Sequence, residues 1–177
     1  MRHVLLLRGI NLGPNRRVPM ADLRSLFTQA GYGEVRTYVQ SGNVVLDGAA
    51  PPEQLEDEAQ RLISERFGLE VPVVVRTRDE LAAVVALNPL CEVATNPKRY
   101  QVSFLSAEPD RGVVETLQAA TAGDERLVCH GRELYAWHPD GVARSKMWNA
   151  LAGRGLGTVA TARNWTTVTT LLEMADA

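Results

Sequence analysis

Val35-Arg36-Thr37-Tyr38-Val39-Gln40-Ser41-Gly42-Asn43-Val44-Val45-Leu46 is the stretch on which the fold turns. Two runs rich in β-branched residues flank Gln40–Asn43. Gly42 and Asn43 tolerate the positive φ of a tight reversal, so the stretch reads as a β-hairpin. Upstream, Met20, Leu23, Leu26, Phe27 and Ala30 recur at helical spacing behind Pro19, and Gly31 stops the run. Before that helix, Val4–Leu7 is a continuous aliphatic run ending at Arg8-Gly9, the pattern of a strand buried on both faces. Downstream, Pro52 to Phe67 places Leu55, Ala59, Leu62, Ile63 and Phe67 on one helical face. Glu53, Glu56, Asp57 and Glu58 lie near its start, where carboxylates suit the positive end of the helix dipole. Val71–Arg76 is the next strand, and Pro72 assigns it to a sheet edge, where a missing ladder donor does no harm. Asp79 is expected to cap a short helix through Leu87.

The order so far is β-α-β-β-α-β followed by a helix, and the rest of the chain repeats it. Gln101–Ser106 is a strand and Pro109 to Ala122 a helix. Arg126–Cys129 and Glu133–His138 form a hairpin around His130-Gly131. Ala143 to Leu151 is a helix, Thr158–Ala162 a short strand and Asn164 to Met174 a last helix. Arg76-Thr77-Arg78-Asp79 and Thr161-Ala162-Arg163-Asn164 are read as matching segments, each ending on an Asp or Asn N-cap. The expected fold class is α+β, with two ferredoxin-like halves at 1–95 and 96–177, an internal duplication packed into one globule. Strand order 4-1-3-2 then brings Arg8-Gly9-Ile10-Asn11 beside Gln40-Ser41-Gly42-Asn43 in the first sheet. The same rule puts His138–Gly141 and Thr161–Arg163 at one end of the second sheet, and makes Arg144–Lys146 and Arg163–Trp165 neighbours.

Composition sets the outer bounds. The 177 residues suffice for a hydrophobic core without a disulfide or metal staple. A formal net charge of −2 argues against a general polyanion binder. Seventeen of the nineteen cations are arginine, the signature of a GC-rich coding bias. Cys91 and Cys129 stand apart and belong to no ligand-spaced set, which fits a reducing compartment. The apolar run at the start is four residues long, too short for a signal segment or a bilayer span. The expectation is a cytoplasmic protein with no membrane partner.

Several blocks are distinctive as motifs: Leu6-Leu7-Arg8-Gly9-Ile10-Asn11-Leu12-Gly13, Val18-Pro19-Met20, and Thr37-Tyr38-Val39-Gln40-Ser41-Gly42-Asn43-Val44-Val45. Phe67-Gly68, Val71-Pro72-Val73, Asn88-Pro89-Leu90, Arg144-Ser145-Lys146 and Thr161-Ala162-Arg163-Asn164-Trp165 extend the pattern over essentially the whole chain. In these blocks the sequence resembles the bacterial DUF1697 family. Leu12 and Pro14 depart from it, standing where such sequences often have Val and Gly. The resemblance implies a pair of ferredoxin-like halves and carries no assigned activity.

Two polar clusters are candidates for binding. In the first, Arg8 at a strand end is followed by Gly9, Asn11 and Gly13, with Gln40 and Asn43 on the adjoining turn. A guanidinium fork beside glycine-freed backbone can hold a phosphate or carboxylate. The alternative is that Arg8 and Asn11 merely tie the turn to the loop. No Walker Gly-Lys-Ser/Thr and no GxGxxG is present. In the second, the stretch between Gly141 and Leu172 has no Asp or Glu but contains Arg144, Lys146, Arg154 and Arg163. Arg144-Ser145-Lys146 and Arg163-Asn164 open two expected helices, where orphan N–H groups and cations together favour an anion. Ser145 and Asn164 could equally be plain caps.

The functional expectation is therefore binding of a small anionic, phosphate-containing or nucleotide-like ligand. Its candidate residues are Arg144, Ser145, Lys146, Arg163 and Asn164, with Arg8, Asn11, Gln40 and Asn43 as a second group. The competing reading is a nucleic-acid or protein interaction module. RNA-binding modules of this topology need stacking aromatics on their central strands. Here only Phe104, Tyr135 and Trp137 qualify, and burial is the competing role for them. No HExxH, GxSxG or carboxylate pair is present, and His3, His130 and His138 are too dispersed for a metal site. No cofactor or metal is expected, and whether the chain is an enzyme stays open.

Overall fold

A computed structural model describes residues 1–152 and 154–177; Gly153 and the side chains of Ala152 and Arg154 lie outside the described residues, and with them the proposed role of Arg154. The chain forms two compact units, Met1–Ala83 with Thr170–Ala177, and Val84–Thr169. Each is built on a four-stranded antiparallel sheet with helices, the α+β class expected.

The first sheet contains β1 (Arg2–Leu7), β2 (Gly33–Tyr38), β3 (Asn43–Asp47) and β4 (Val73–Thr77), in the order β2-β3-β1-β4. Helix α1 (Met20–Gln29) joins β1 to β2, and α2 (Pro52–Phe67) joins β3 to β4. Leu5, Leu7, Val44, Leu46, Val73 and Val75 meet Leu23 and Phe27 of α1 and Leu55 and Ile63 of α2 in one core. Each large apolar side chain buried there contributes about 1.5–3 kcal/mol. The alternate residues Val4, Leu6, Val45 and Val74 are also buried, which is why β1 reads as an unbroken aliphatic run. Strand β4 lies at the edge, as expected, but it begins at Val73, so Pro72 precedes the ladder, and the Pro72 carbonyl accepts from the Arg8 amide at 2.9 Å.

The second sheet repeats that order as β6-β7-β5-β8, with β5 (Tyr100–Leu105), β6 (Arg126–His130), β7 (Glu133–Trp137) and β8 (Ala160–Asn164). Its core joins Leu105, Leu127, Leu134 and Ala136 to Leu117 of α4 (Arg111–Ala119) and to Met147 and Leu151 of α5 (Lys146–Ala152). Helices α3 (Arg78–Leu87) and α6 (Trp165–Asp176) follow the fourth strand of each sheet.

Three local readings change. The helix expected from Ala143 is broken: Val142–Arg144 is a 3-10 turn, Ser145 is extended, and α5 starts at Lys146. Ser145 Oγ accepts from the Trp148 amide at 3.0 Å, so Ser145 acts as an N-cap inside the run. Helix α3 is capped by Thr77 rather than Asp79. Thr77 Oγ1 accepts from the Glu80 amide at 3.2 Å, and Glu80 Oε2 accepts from the Thr77 amide at 2.8 Å, a reciprocal capping box. The strand registers also shift the expected match between the two sheets by two residues. Arg76 stands opposite Val4 and Arg163 opposite Val102, so Arg76 corresponds to Arg163 and Thr77 to Asn164.

Candidate functional site

The expected juxtaposition in the first sheet is present. The Leu7 amide donates to the Gly42 carbonyl at 2.8 Å, which seats the β2–β3 turn against the end of β1. Gly42 has φ +81, and a Cβ there would lie 2.7 Å from Leu7 Cβ. Only glycine fits this close approach.

Asn11 (φ 55) then ties three segments together. Its Nδ2 donates to the Val18 carbonyl at 3.0 Å and the Gln40 carbonyl at 2.7 Å, and its Oδ1 accepts from the Val18 amide at 2.9 Å. Arg16 fastens the same loop by donating to the Gly9 carbonyl at 2.7 Å and the Glu70 carbonyl at 2.8 Å. Asn43, fully buried, donates to the Tyr38 carbonyl and to Ser41 Oγ, each at 3.0 Å. Asn11, Arg16 and Asn43 are therefore builders of the site, with their polar groups engaged by the chain itself.

What they build is a groove of about 600 Å³ lined by Asn11, Gly13, Pro14, Arg17, Val18, Pro19 and Gln40. Among the described residues Arg17 is the charged residue of that lining, and no carboxylate belongs to it. Arg17 and Gln40 are exposed, and neither side chain makes a hydrogen bond or ion pair among the described residues; the same holds for the partly exposed Arg8. Pro19 is the N-cap of α1 and supplies no side-chain cap, so the first-turn amides of that helix are left for solvent or a ligand.

The second sheet shows which of these features the fold itself needs. There the connection from β5 to α4 is residues 106–110, against residues 8–19 from β1 to α1. The β6–β7 turn places Gly131-Arg132 between the paired His130 and Glu133, whereas Val39–Gly42 lie between the paired Tyr38 and Asn43. Both elaborations of the first sheet fall at the groove. Val39 is also a β-branched residue at φ 50, 50% exposed. Such strain is uncommon and concentrates at functional positions. Leu12, between the lining residues Asn11 and Gly13, is 86% exposed.

The second predicted cluster is arranged differently. Arg144 and Lys146 are exposed, and neither side chain makes a hydrogen bond or ion pair among the described residues. Ser145 is buried under its cap bond, and Asn164 Oδ1 caps α6 by accepting from the Thr167 amide at 2.9 Å. Arg163 is 7% exposed and donates to Thr161 Oγ1 at 2.7 Å and the Ala162 carbonyl at 2.8 Å. Desolvation pulls its guanidinium pKa down to about 10. Its counterpart Arg76, 1% exposed, donates in the same way to the Val75 carbonyl at 2.9 Å. No hydrogen bond or ion pair joins Arg144 or Lys146 to Arg163 or Asn164 among the described residues.

Tyr135 and Trp137 are buried, and the Tyr135 hydroxyl donates to the Val84 carbonyl at 3.3 Å, so neither ring offers a stacking platform. Among the described residues no three His, Cys, Asp or Glu side chains gather as a metal site, and no helix is long and apolar enough to cross a membrane. Arg17 escaped the sequence reading, although an Arg-Arg pair in a Gly- and Pro-rich loop was the available signal.

Comparison with other proteins agrees with this architecture. The chain is similar to the structure of the conserved bacterial protein SP0830 from Streptococcus pneumoniae, at 22% identity and TM-score 0.80, over 98% of each chain. That likeness is one of fold. No curated protein matches the chain. Residues 1–135, which include every residue lining the groove, match the family described as protein of unknown function, DUF1697, and the chain belongs to that family.

Proposed function

We propose that the protein binds a small anionic, phosphate-containing ligand in the groove between the β1–α1 loop and the β2–β3 turn. The observation that carries this reading is the pair of elaborations that separates the first sheet from the second. Both fall where the side chains of Arg17 and Gln40 stand with no partner among the described residues. A guanidinium in a carboxylate-free groove attracts an anion, and Asn11 holds the loop in one geometry before the ligand arrives, which lowers the entropy lost on binding. Arg144 and Lys146 are a second, weaker place for the same chemistry, since Ser145 and Asn164 serve as caps and Arg163 is buried.

The test is a thermal-shift screen of phosphate-containing compounds on wild type, Arg17→Ala and Arg144→Ala. A ligand stabilises the native state by RT ln(1 + [L]/Kd), about 2.7 kcal/mol at a hundredfold excess over Kd. The expected result is a shift in wild type and Arg144→Ala that Arg17→Ala loses. Equal shifts in all three proteins would refute the groove as the site.

A second reading, an interaction module for a macromolecular partner, draws on the exposure of Leu12 and Val39. It forecasts binding that Leu12→Ser abolishes and that inorganic phosphate does not displace.

A further inference from the structure

We infer that the ligand of this groove is a nucleoside monophosphate, an inference that rests on the anion-binding reading above and names the ligand class. Three features of the lining act together. Arg17 alone is charged among the described lining residues, which suits one phosphate group rather than a chain of them. Gln40 presents an unengaged side-chain amide, with one donor face and one acceptor face. That donor–acceptor pair matches the edge of a nucleobase, as glutamine does when it pairs with a base through two hydrogen bonds. Pro14 and Pro19, both exposed, supply apolar surface for the flat face of a ring. The exposed side chains of Leu12 and Val39 stand next in sequence to the lining residues Asn11, Gly13 and Gln40, and a bound ring would cover more apolar surface there.

Simpler occupants leave part of this unused. Inorganic phosphate would engage Arg17 and leave the Gln40 amide and the two exposed prolines without a role. An aliphatic acid would satisfy Arg17 and the apolar wall but leave the amide unpaired. A nucleoside diphosphate or triphosphate carries further phosphate groups for which the described lining offers no second cation, and the chain has neither a Walker loop nor GxGxxG to cradle them. A volume of about 600 Å³ lies within the range of small-molecule sites.

Titration calorimetry on the full chain separates the two levels of the inference. The probes are AMP, GMP, CMP, UMP, ribose 5-phosphate, inorganic phosphate and the four nucleosides. The proteins are wild type, Arg17→Gln and Gln40→Leu. Because the altered side chains make no hydrogen bond among the described residues, both variants should melt with wild type, which a thermal scan checks. The expected result is at least one nucleoside monophosphate binding about tenfold or more tightly than ribose 5-phosphate. Arg17→Gln should weaken every phosphate-bearing probe, and Gln40→Leu should reduce that nucleotide to the level of ribose 5-phosphate. If all anions bind alike and Arg17→Gln weakens them, the anion site stands and the nucleotide assignment falls. If no anion binds, or Arg17→Gln changes nothing, both fall. Nucleosides binding as tightly as their monophosphates would also overturn both.

Discussion

Asn11 Nδ2 donates to the Gln40 carbonyl at 2.7 Å, and this bond joins the β1–α1 loop to the β2–β3 turn across the mouth of the groove. The same side chain holds Val18 at both its amide and its carbonyl. One residue thus sets the spacing of both walls. Its φ of 55 is a conformation that Asn adopts more readily than most residues.

Replacing Asn11 should therefore act on stability and binding together. Asn11→Ala removes three side-chain hydrogen bonds at a partly exposed site, a loss of about 1–3 kcal/mol in urea denaturation. Asn11→Gly relieves the left-handed backbone but loses the same bonds. If the tie is what matters, both variants lose ligand-induced stabilisation; retained stabilisation in Asn11→Gly would show that the backbone alone shapes the loop.

Gly42→Ala should be the most damaging of the glycine changes. The new methyl would meet Leu7 Cβ at 2.7 Å and Ile10 Cδ1 at 2.8 Å, at φ +81. Left-handed strain and overpacking together amount to about 2–4 kcal/mol. Gly31→Ala, at φ +96 with nothing within 4 Å, carries the strain alone, about 1–2 kcal/mol. Equal losses in the two variants would remove the steric argument.

Val39→Asn should raise stability by about 1 kcal/mol, because Asn accepts φ 50 far better than a β-branched residue. An increase in thermal midpoint with weakened ligand binding would mark the strain as functional. A drop in midpoint would mean that the exposed valine makes contacts that outweigh its strain.

Acid should destabilise the fold through two buried histidines. His3 and His138 are fully buried, and among the described residues no ring nitrogen of either makes a hydrogen bond of normal geometry. Desolvation lowers both pKa values. The N-terminal ammonium adds to the effect at His3, while the nearby Gly48 and Ala50 carbonyls and Asp47 oppose it; Glu125 opposes it at His138. The unfolded chain then binds protons first as pH falls through about 6.5, so stability is full above that pH and declines below it. Each histidine contributes up to about 1.4 kcal/mol per pH unit in the window between its native and unfolded pKa values. Denaturant midpoints at pH 5 to 8 should fall with acid, and His138→Phe, keeping the edge-to-face contact with Trp148, should flatten the slope. An unchanged slope in that variant would assign the acid sensitivity elsewhere.

Arg163 and Arg144 should separate cleanly as structural and surface residues. Arg163→Ala leaves Thr161 Oγ1 and the Ala162 carbonyl without their guanidinium and opens a space at a buried site. A loss of about 2–4 kcal/mol is expected. Arg144→Ala and Lys146→Ala should stay within about 0.5 kcal/mol of wild type. Chemical denaturation of the three variants measures the difference, and a neutral Arg163→Ala would return that residue to the candidate ligands.

Much of the fold was legible because it rests on period and punctuation. The aliphatic run at Val4–Leu7, the helical spacing after Pro19 and the reversal at Gln40–Asn43 each name an element without reference to the rest of the chain. Strand order followed from the split β-α-β rule, and with it the meeting of Asn11 with Gln40. Errors arose where one residue type serves two local ends. Thr77 and Asp79 are both acceptable N-caps, and only the position where β4 stops selects Thr77. Ser145 sits inside a helical pattern, and only its extended backbone turns that run into a 3-10 turn and a separate helix.

Burial pattern and connection length, both written in the residues, dictate the α+β class, the two repeated strand orders and the end of the first sheet at which loop and turn meet. Tertiary structure decided which polar side chains remain available to a ligand. Asn11, Asn43, Ser145 and Asn164 satisfy neighbouring backbone groups, Arg163 is desolvated against its own strand, and Arg17 and Gln40 are left facing solvent. The reason is physical. A donor or acceptor can serve the chain or a ligand with the same atoms, and the choice depends on distances set only once the strands have paired.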